Sequence, residues 1–370
     1  MRRCRSIAQA PPRCVTEVPA ELKRFAAKPP ESGEKMLPKI AFEEACYYPH
    51  DSSGFLPTDP KEISDMQGVS EEYVASNWPK LVDLGQQRID DMLAGDVVYS
   101  LVSQNAPGLQ GVADATTAVA LARDMNDFVA DQVGKHPDRL GAFASLPTQN
   151  PDAAAEELRR TVHAHGFAGA MINGYTDTPD GVRYLDDPMY EPLWAAAEDL
   201  QVPVYLHPRP SVPNAMLAGH PELAGATWGF APETATHVLR IVFSGVFDRY
   251  PGARLIIGHL GEALPSYIRR IQHYFAVNPF GRSVERTLPE YFGTNIHVTT
   301  SGNFDDHALH AALLSIGADA ILYSVDYPFA DPRAGADWLG RAPISEADRA
   351  KIAHGNAQRM FRIPDSALVR

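Results

Sequence analysis

The feature that most restricts the fold is an alternation of short apolar runs with longer helical segments, which repeats along the chain after Lys39. Most of the eight runs are dense in β-branched or aromatic residues and end near a proline, a glycine or a polar residue, as strands do. They cover residues 39–45, 97–104, 140–147, 167–174, 202–208, 254–260, 296–302 and 318–328. Helical patterns separate or follow them at residues 113–135, 151–165, 190–200, 232–250, 261–275, 305–317 and 345–361.

Strands that alternate with helices predict a parallel sheet with right-handed crossovers. Eight such units favour a closed TIM (β/α)8 barrel over an open doubly wound sheet, and no Gly-x-Gly-x-x-Gly motif follows the first strand to support dinucleotide binding. A barrel takes about 250 residues, or more with insertions. The 370-residue chain therefore predicts a single α/β domain, which we place at residues 37–365. Irregular segments at residues 51–73 and 211–228 are interpreted as covers of an active site.

Residues 1–36 differ in composition from the rest of the chain. Four arginines precede the first acidic residue, Glu17, and no secretory apolar region is present. An arginine-rich, acid-poor start is found in transit peptides. We favour a disordered tail, or a functional start near residue 36, for this N-terminal extension.

Charge and cysteine content exclude several classes of partner. The formal net charge is −13, which argues against nucleic acid or an anionic membrane as a partner, because both bind basic patches. The three cysteines, Cys4, Cys14 and Cys46, include no Cys-x-x-Cys pair. They therefore predict neither a disulfide framework nor a thiolate zinc site, and a reducing, cytoplasmic location is expected.

Polar side chains end four of the predicted strands, where barrel enzymes place their catalytic groups. Glu43 lies near the end of the first strand, and His207, His259 and Asp326 lie near the ends of the fifth, sixth and eighth. Because strand side chains alternate in direction, Glu43 and Glu44 point to opposite sides. Carboxylates and neutral imidazole are suitable ligands of Zn²⁺ or Mn²⁺. Packing or helix capping explains any one of these residues alone, but the four together predict a mononuclear metal site.

The segments around these residues resemble the amidohydrolase-related superfamily, and most of all its decarboxylase branch. That branch includes γ-resorcylate, 2,3-dihydroxybenzoate, salicylate and 5-carboxyvanillate decarboxylases. The resemblance runs from Met36 to about Pro364. The matching segments are residues 39–45 (KIAFEEA), 103–107 (SQNAP), 137–140 (PDRL), 172–174 (ING), 205–209 (YLHPR), 227–230 (TWGF), 258–262 (GHLGE), 300–303 (TSGN) and 324–329 (SVDYPF).

The resemblance implies a role for each site residue. Glu43, His207 and Asp326 would bind one divalent metal ion, with Zn²⁺ as the first choice and Mn²⁺ or Mg²⁺ as alternatives. His259, oriented by Glu262, would face the substrate and metal-bound water. Asp326 or the pair of His259 and Glu262 would deliver a proton. The residues implied near the substrate are Asn173, Arg209, Trp228 and Phe230.

One position departs from the pattern of many superfamily members. Those members carry Glu-x-His or His-x-His on the first strand, whereas this chain has Ala45 two residues after Glu43. The sequence resembles members with Glu-x-Ala, among them dihydroxybenzoate and salicylate decarboxylases. Three protein ligands remain, which leaves coordination positions for water and substrate oxygens. A lower metal affinity is the expected consequence.

Three functions are weighed. The first is metal-dependent, non-oxidative decarboxylation of a hydroxylated aromatic acid of the 2,3-dihydroxybenzoate, γ-resorcylate or salicylate type. The second is hydrolysis of a lactone or related ring, and the third is a non-catalytic barrel. No lysine lies between Lys135 and Lys351, so the carboxylated lysine that bridges two metals in binuclear relatives is excluded from strand 4, which favours the lyase. The expected partners are a small aromatic acid and, by analogy with relatives, further copies of the chain in a dimer or tetramer.

Overall fold

The computed structural model describes residues 37–50, 54, 56, 59–67, 70–212 and 215–368. The predictions about residues 1–36 therefore lie outside the described residues. Parallel strands in chain order form the wall of the molecule. They are β1 (Lys39–Cys46), β2 (Val97–Gln104), β3 (Leu140–Ala142), β4 (Ala144–Ser145), β5 (Ala170–Asn173), β8 (Pro203–His207), β9 (Arg254–Ile257), β10 (Ile296–Thr299) and β11 (Ile321–Leu322). A short antiparallel hairpin, β6 (Thr176–Thr178) and β7 (Gly181–Arg183), follows β5.

The strands pair in two runs, β1-β2-β3 and β4-β5-β8-β9-β10-β11. Only Phe143 separates β3 from β4, so these two strands together occupy one strand position in the barrel wall. They connect the two groups of paired strands. The barrel closes between β1 and the segment that follows β11, where the Ala45 backbone nitrogen donates to the Tyr327 carbonyl at 2.7 Å. Eight parallel strand positions around one interior confirm the predicted TIM (β/α)8 barrel.

A buried apolar cluster fills the interior of the barrel. Its members come from successive strands of the barrel and are at most 7% exposed; they include Ile40, Phe42, Tyr99, Leu101, Phe143, Met171, Tyr205, Ile256 and Leu322. Phe361, near the end of the chain, stacks on Phe42 with a centroid separation of 4.7 Å. Each fully buried side chain of this size contributes about 1.5–3 kcal/mol. The interior is therefore a packed core, and the site occupies the carboxyl ends of the strands above it.

Helices surround the wall and pack on its outer face through a second, larger cluster. They are α1 (Pro60–Gln67), α2 (Glu71–Val82), α3 (Gln86–Ala94), α4 (Ala115–Val133), α5 (Pro151–His165), α6 (Glu191–Leu200), α7 (Phe230–Phe243), α8 (Val246–Arg249), α9 (His259–Glu262), α10 (Leu264–Val277), α11 (Leu288–Tyr291), α12 (Asp306–Ile316), α13 (Pro332–Arg341), α14 (Glu346–Ala350) and α15 (Asn356–Met360). The start of α5 shows why the boundaries were readable: Asn150 accepts from the Ala153 backbone nitrogen at 3.2 Å, and Pro151 follows as the first helical residue.

Two examples show where predicted segments differ from the structure. Residues 51–73 were expected to be irregular, but they contain α1 and the start of α2. These helices form because Ser70 caps α2 and because Ile63 and Val74 bury against Ala45 in a small apolar cluster. The last strand was expected over residues 318–328, but β11 has only two residues. It ends early because the Val325 backbone nitrogen bonds to the Glu44 side chain rather than to a strand.

In the part of the chain that the structure describes, no helix is both long enough and apolar enough to cross a membrane.

Candidate active site

Glu43 enters the site through a bulge in β1. Between Ala41 and Glu44 the strand advances three residues while the paired β2 advances two, from Ser100 to Val102. The backbone nitrogens of Phe42 and Glu43 both donate to the Ser324 hydroxyl, at 3.1 and 2.7 Å. The bulge therefore turns Glu43 toward the mouth of the barrel and Glu44 toward the seam between β1 and β11.

The two oxygens of the Glu43 carboxylate have different surroundings. Tyr205 donates a hydrogen bond to Oε2, and Thr299 contacts the same oxygen at 3.4 Å. The hydroxyls of Tyr205 and Thr299 lie 2.7 Å apart, and Thr299 lies 2.6 Å from the Ser301 hydroxyl. Oε1 is buried and has no hydrogen-bond partner among the described residues. One oxygen is thus held by hydroxyls, and the other is available for a ligand.

Three further predicted residues cluster with Glu43, and two of them lie near Oε1. The Nε2 atoms of His207 and His259 lie 3.4 and 3.8 Å from it. His259 Nε2 also lies 3.9 Å from Asp326 Oδ2. Ligand atoms of Glu43, His259 and Asp326 all fall within 4.8 Å of one another. The structure therefore brings all four strand-end residues of the sequence prediction into one cluster.

His259 lies in a strained turn. Residues 259 to 263, which include all of α9, have φ between 54° and 83°, the left-handed region that non-glycine residues avoid. The Gly261 nitrogen donates to the Gly258 carbonyl at 2.8 Å, and Asn303 Nδ2 donates to the His259 carbonyl at 3.1 Å. Glu262 Oε1 lies 2.7 Å from His259 Nδ1. The turn thereby leaves Nε2 of His259 facing the mouth.

Asp326 also has a left-handed backbone, with a φ of 71°. Its neighbour across the seam is Gly302, where an added Cβ would lie 3.3 Å from Asp326 Oδ2. The Gly302 nitrogen donates to the Val325 carbonyl at 3.0 Å. Left-handed residues at both His259 and Asp326 indicate that the surrounding structure imposes the site geometry.

Burial and charge act in opposite directions on the titratable groups. Burial favours a higher pKa for Glu43, but His259 and His207 hold its pKa below the usual value. Burial opposes protonation of His259, yet Glu262 and Glu43 raise its pKa well above the usual value. Burial raises the pKa of Asp326, and His259 partly offsets this. Burial also raises the pKa of Glu44 to about 8. At the mouth, the lowered pKa of Glu43 favours its charged form, and the raised pKa values of His259 and Asp326 favour their protonated forms.

The four residues implied near the substrate lie in different environments. Asn173 ends β5, is buried, and pairs in register with His207. Arg209 is buried, with an ion pair to Asp177 at 3.0 Å and its guanidinium 4.0 Å from the Tyr175 ring centroid. That guanidinium is therefore fixed by protein groups. Trp228 is 56% exposed, and Phe230 begins α7. Substrate contact by these four residues stays a prediction.

Two features of β1 bear on further predictions. The side chain of Ala45, where other members have a ligand, packs in the cluster with Tyr47, Ile63 and Val74. Cys46 is buried in the outer cluster, and burial raises the pKa of its thiol to about 11. A thiol with this pKa is protonated at neutral pH and is a poor nucleophile.

Sequence reasoning missed the residues that support Glu43. Tyr205, Thr299 and Ser301 hold Oε2, and Gly258 leaves space for the carboxylate, since an added Cβ there would lie 2.5 Å from Oε2. Tyr205 precedes His207 by two residues, so the two-residue period of a strand could have placed it on the same face. The approach of Gly258 depends on strand packing, which no local pattern indicates.

The donor set fits a divalent metal ion. Glu43 Oε1 is a buried polar atom without a partner among the described residues, which is costly unless a ligand or water satisfies it. Carboxylate oxygen and imidazole nitrogen suit Zn²⁺ and Mn²⁺. Two atoms that each lie about 2.1 Å from a tetrahedral ion are about 3.4 Å apart. The separation between Glu43 Oε1 and His207 Nε2 is 3.4 Å.

Comparison with known proteins gives consistent matches. The family model described as Amidohydrolase matches residues 71–363. A gamma-resorcylate decarboxylase of Rhizobium sp. (strain MTP-10005) is 42% identical over 337 residues, which cover 89% of this chain and 99% of that protein.

Two solved structures extend the match. A 2,6-dihydroxybenzoate decarboxylase complexed with 2,6-dihydroxybenzoate has a TM-score of 0.80 and 42% identity, covering 88% of this chain and 99% of its own. A dihydroxybenzoic acid decarboxylase of Polaromonas sp. JS666, with bound manganese and the inhibitor 2-nitroresorcinol, has a TM-score of 0.81 and 40% identity. That match covers 90% of this chain and 100% of its own.

Proposed function

Because the chain belongs to the amidohydrolase family, within its decarboxylase branch, we propose that it catalyses the metal-dependent, non-oxidative decarboxylation of a hydroxylated benzoate. The observation that carries this proposal is the convergence of His207 and His259 on the unpartnered oxygen of Glu43, with Asp326 in the same cluster 3.9 Å from His259 Nε2. The names of the relatives favour γ-resorcylate, which is 2,6-dihydroxybenzoate, as the first substrate to test. The 2,3-dihydroxybenzoate and salicylate types are the alternatives.

Glu43, His207 and Asp326 would hold the metal ion. His207 is preferred over His259 as the third ligand because its ring nitrogen lies nearer to Glu43 Oε1, 3.4 Å against 3.8 Å. The manganese in the Polaromonas structure favours Mn²⁺, and the preference for Zn²⁺ expressed above has no support from the comparisons. The bound ion would supply a Lewis acid that polarises the carboxylate and the neighbouring phenolic oxygen of the substrate.

Protein groups must then move one proton. The ring carbon that bears the carboxylate accepts a proton and becomes tetrahedral. The bond to the carboxylate breaks, CO₂ leaves, and the electron pair of that bond restores the aromatic ring. Asp326 and His259 both face the mouth, 3.9 Å apart, so either can deliver the proton directly or as a relay. Glu262 holds Nδ1 of His259 and so orients Nε2 toward the substrate.

Exclusion of water is the second task of the protein. Helices α1 and α2 pack against the end of β1 through Ile63, Val74 and Ala45. Tyr73 of α2 stacks on Phe329 with ring centroids 6.1 Å apart, so α2 would restrict the access of water to the segment that carries Asp326. The dimer or tetramer and the cytoplasmic location stay predictions from the sequence.

The experiment is a turnover assay on metal-stripped protein reconstituted with Mn²⁺ or Zn²⁺. The acids are 2,6-dihydroxybenzoate, 2,3-dihydroxybenzoate, salicylate and 5-carboxyvanillate, and the readout is formation of the phenol and CO₂. We expect metal-dependent product that is lost in Asp326→Asn. Tight stoichiometric metal with no phenol from any acid would overturn the proposal and move attention to lactone hydrolysis. Failure to bind either metal would contradict the site itself.

A further inference from the structure

Tyr327, the residue that follows Asp326, is held by two side chains of α3. It is buried, and its hydroxyl donates to Asp91 Oδ2 at 2.9 Å. The guanidinium carbon of Arg88 lies 4.8 Å from the centroid of its ring. Arg88 and Asp91 are three residues apart on α3, so they leave the same face of that helix. One short helix therefore contacts both the ring face and the hydroxyl end of Tyr327.

Arg88 also connects α3 to the end of β1. Its side chain is buried, and Nη2 donates to the carbonyls of Ala45 at 2.7 Å and Lys80 at 2.9 Å. Its Nε donates to the Asp83 carbonyl at 2.8 Å. The backbone nitrogen of the same Ala45 donates to the Tyr327 carbonyl at 2.7 Å. Arg88 thus fixes both the ring of Tyr327 and the β1 residue that binds its backbone.

The residue held in this way adjoins a strained one. Asp326 has a φ of 71°, and such a conformation persists only when the surrounding structure imposes it. A return of Asp326 to a negative φ would rotate the chain on either side of it and displace Tyr327. Pro328, Phe329 and Ala330 line a cleft of about 250 Å³, so the segment has open space on that side. The contacts of Tyr327 with α3 and β1 therefore resist the relaxation of Asp326.

We infer that Arg88 and Asp91 are positioning residues that act through Tyr327 to hold Asp326 in the geometry for metal binding and proton delivery. This role rests on the proposed function, which assigns both tasks to Asp326. The hydrogen bond between Tyr327 and Asp91 is the contact that a small change can test. Loss of the hydroxyl leaves the ring in place on Arg88, and a hydrogen bond to a charged carboxylate is about twice as strong as one between neutral groups.

The experiment is a double-mutant cycle on metal affinity. Mn²⁺ dissociation constants are measured by titration of metal-free wild type, Tyr327→Phe, Asp91→Ala and the double variant. We expect each single variant to bind Mn²⁺ about tenfold more weakly, as loss of a group that supports a ligand does. The double variant should be no weaker than the weaker single variant, because both changes remove the same hydrogen bond. The kcat at saturating Mn²⁺ should fall in the same order.

Two variants serve as controls. Asp91→Asn keeps an acceptor for the Tyr327 hydroxyl, so it should recover most of the affinity that Asp91→Ala loses. Asp90→Ala is the matched control, because the neighbouring Asp90 is exposed and its carboxylate accepts from Gln86 Nε2 at 2.7 Å. It should bind Mn²⁺ as the wild type does. Urea unfolding of every variant measures stability separately from metal affinity.

The outcomes separate this inference from the proposed function. Unchanged Mn²⁺ binding and kcat in both single variants would overturn the positioning role and leave the function intact, even if both variants lose stability. Independent, additive losses in the double variant would also contradict it. The expected cycle in a wild type that forms no phenol from any acid would support the positioning role and contradict the function. A wild type that binds no Mn²⁺ would overturn both.

Discussion

The hydroxyl of Tyr205 donates a hydrogen bond to Oε2 of Glu43, and this contact leaves Oε1 as the oxygen that faces His207 and His259. Both residues are buried, and Thr299 closes the network around Oε2. The hydroxyl thus determines which carboxylate oxygen is available to a metal ion. Because β1 carries Ala45 in place of a second ligand, metal binding depends more strongly on the orientation of Glu43.

We predict that Tyr205→Phe weakens metal binding by about tenfold to a hundredfold, as loss of a group that orients a ligand usually does. The measurement is the Mn²⁺ dissociation constant from titration of the metal-free protein. Tyr323→Phe is the control, because the Tyr323 hydroxyl is buried with no partner among the described residues. Equal dissociation constants for wild type and Tyr205→Phe would contradict a role for the hydroxyl.

Substitution of the two histidines should separate a ligand from a proton-transfer group. His207→Ala is expected to weaken Mn²⁺ binding by about a hundredfold or more, because it removes one of three protein ligands. His259→Ala should retain most of the metal affinity and lose activity by about a hundredfold or more. Metal content after gel filtration and kcat measured at saturating Mn²⁺ test both statements. Loss of metal from His259→Ala with retention by His207→Ala would reverse the assignment.

Gly258→Ala should displace Glu43 without straining the backbone. The φ of Gly258 is −77°, which alanine adopts freely, but the new Cβ would lie 2.5 Å from Glu43 Oε2. Overpacking of this kind costs about 1–3 kcal/mol, and metal affinity should fall with it. Urea unfolding and metal titration are the measurements. Gly340→Ala, in α13 with nothing within 4 Å of its added Cβ, should be neutral or stabilising.

Stability should decrease as the pH falls below about 6.5. His237 is buried and accepts from the Leu185 backbone nitrogen at 2.8 Å, and burial lowers its pKa to about 3. The pKa of His237 is about 3 in the folded chain and about 6.5 in the unfolded chain. Between these two values the unfolded chain binds a proton that the folded chain does not, so the free energy of unfolding falls by about 1.4 kcal/mol for each pH unit of acidification. His297, with its pKa lowered by burial to about 4, adds to this slope.

Urea unfolding at pH 7, 6 and 5 tests this pH dependence. His237→Gln retains an acceptor for the Leu185 nitrogen and removes the titrating group. Its free energy of unfolding should therefore change less with pH, by about 1.4 kcal/mol per pH unit, which corresponds to one proton. The wild-type slope in the variant would show that His237 does not carry the effect.

The predicted elements agree with the structure where local signals are strong. The β2 strand and α5 have the expected bounds, because apolar runs and an Asn-Pro cap act over a few residues. The helices α2 and α3 were not predicted, since their apolar residues are few. Those of α2 become informative only when they bury against β1, and Met92 of α3 only when it joins the outer cluster. The hydroxyls around Oε2 were missed for a similar reason, because they come from strands far apart in the sequence.

The sequence by itself determined the alternation of strands and helices, and with it the barrel and the strand ends where Glu43, His207, His259 and Asp326 would meet. It did not determine which acidic residue of β1 enters the site. Alternation from the inward-facing Ile40 and Phe42 would have placed Glu44 at the mouth. The bulge after Ala41 reverses that choice. It is stabilised by the Ser324 hydroxyl, about 280 residues away, and contacts over such separations exist only in the folded chain.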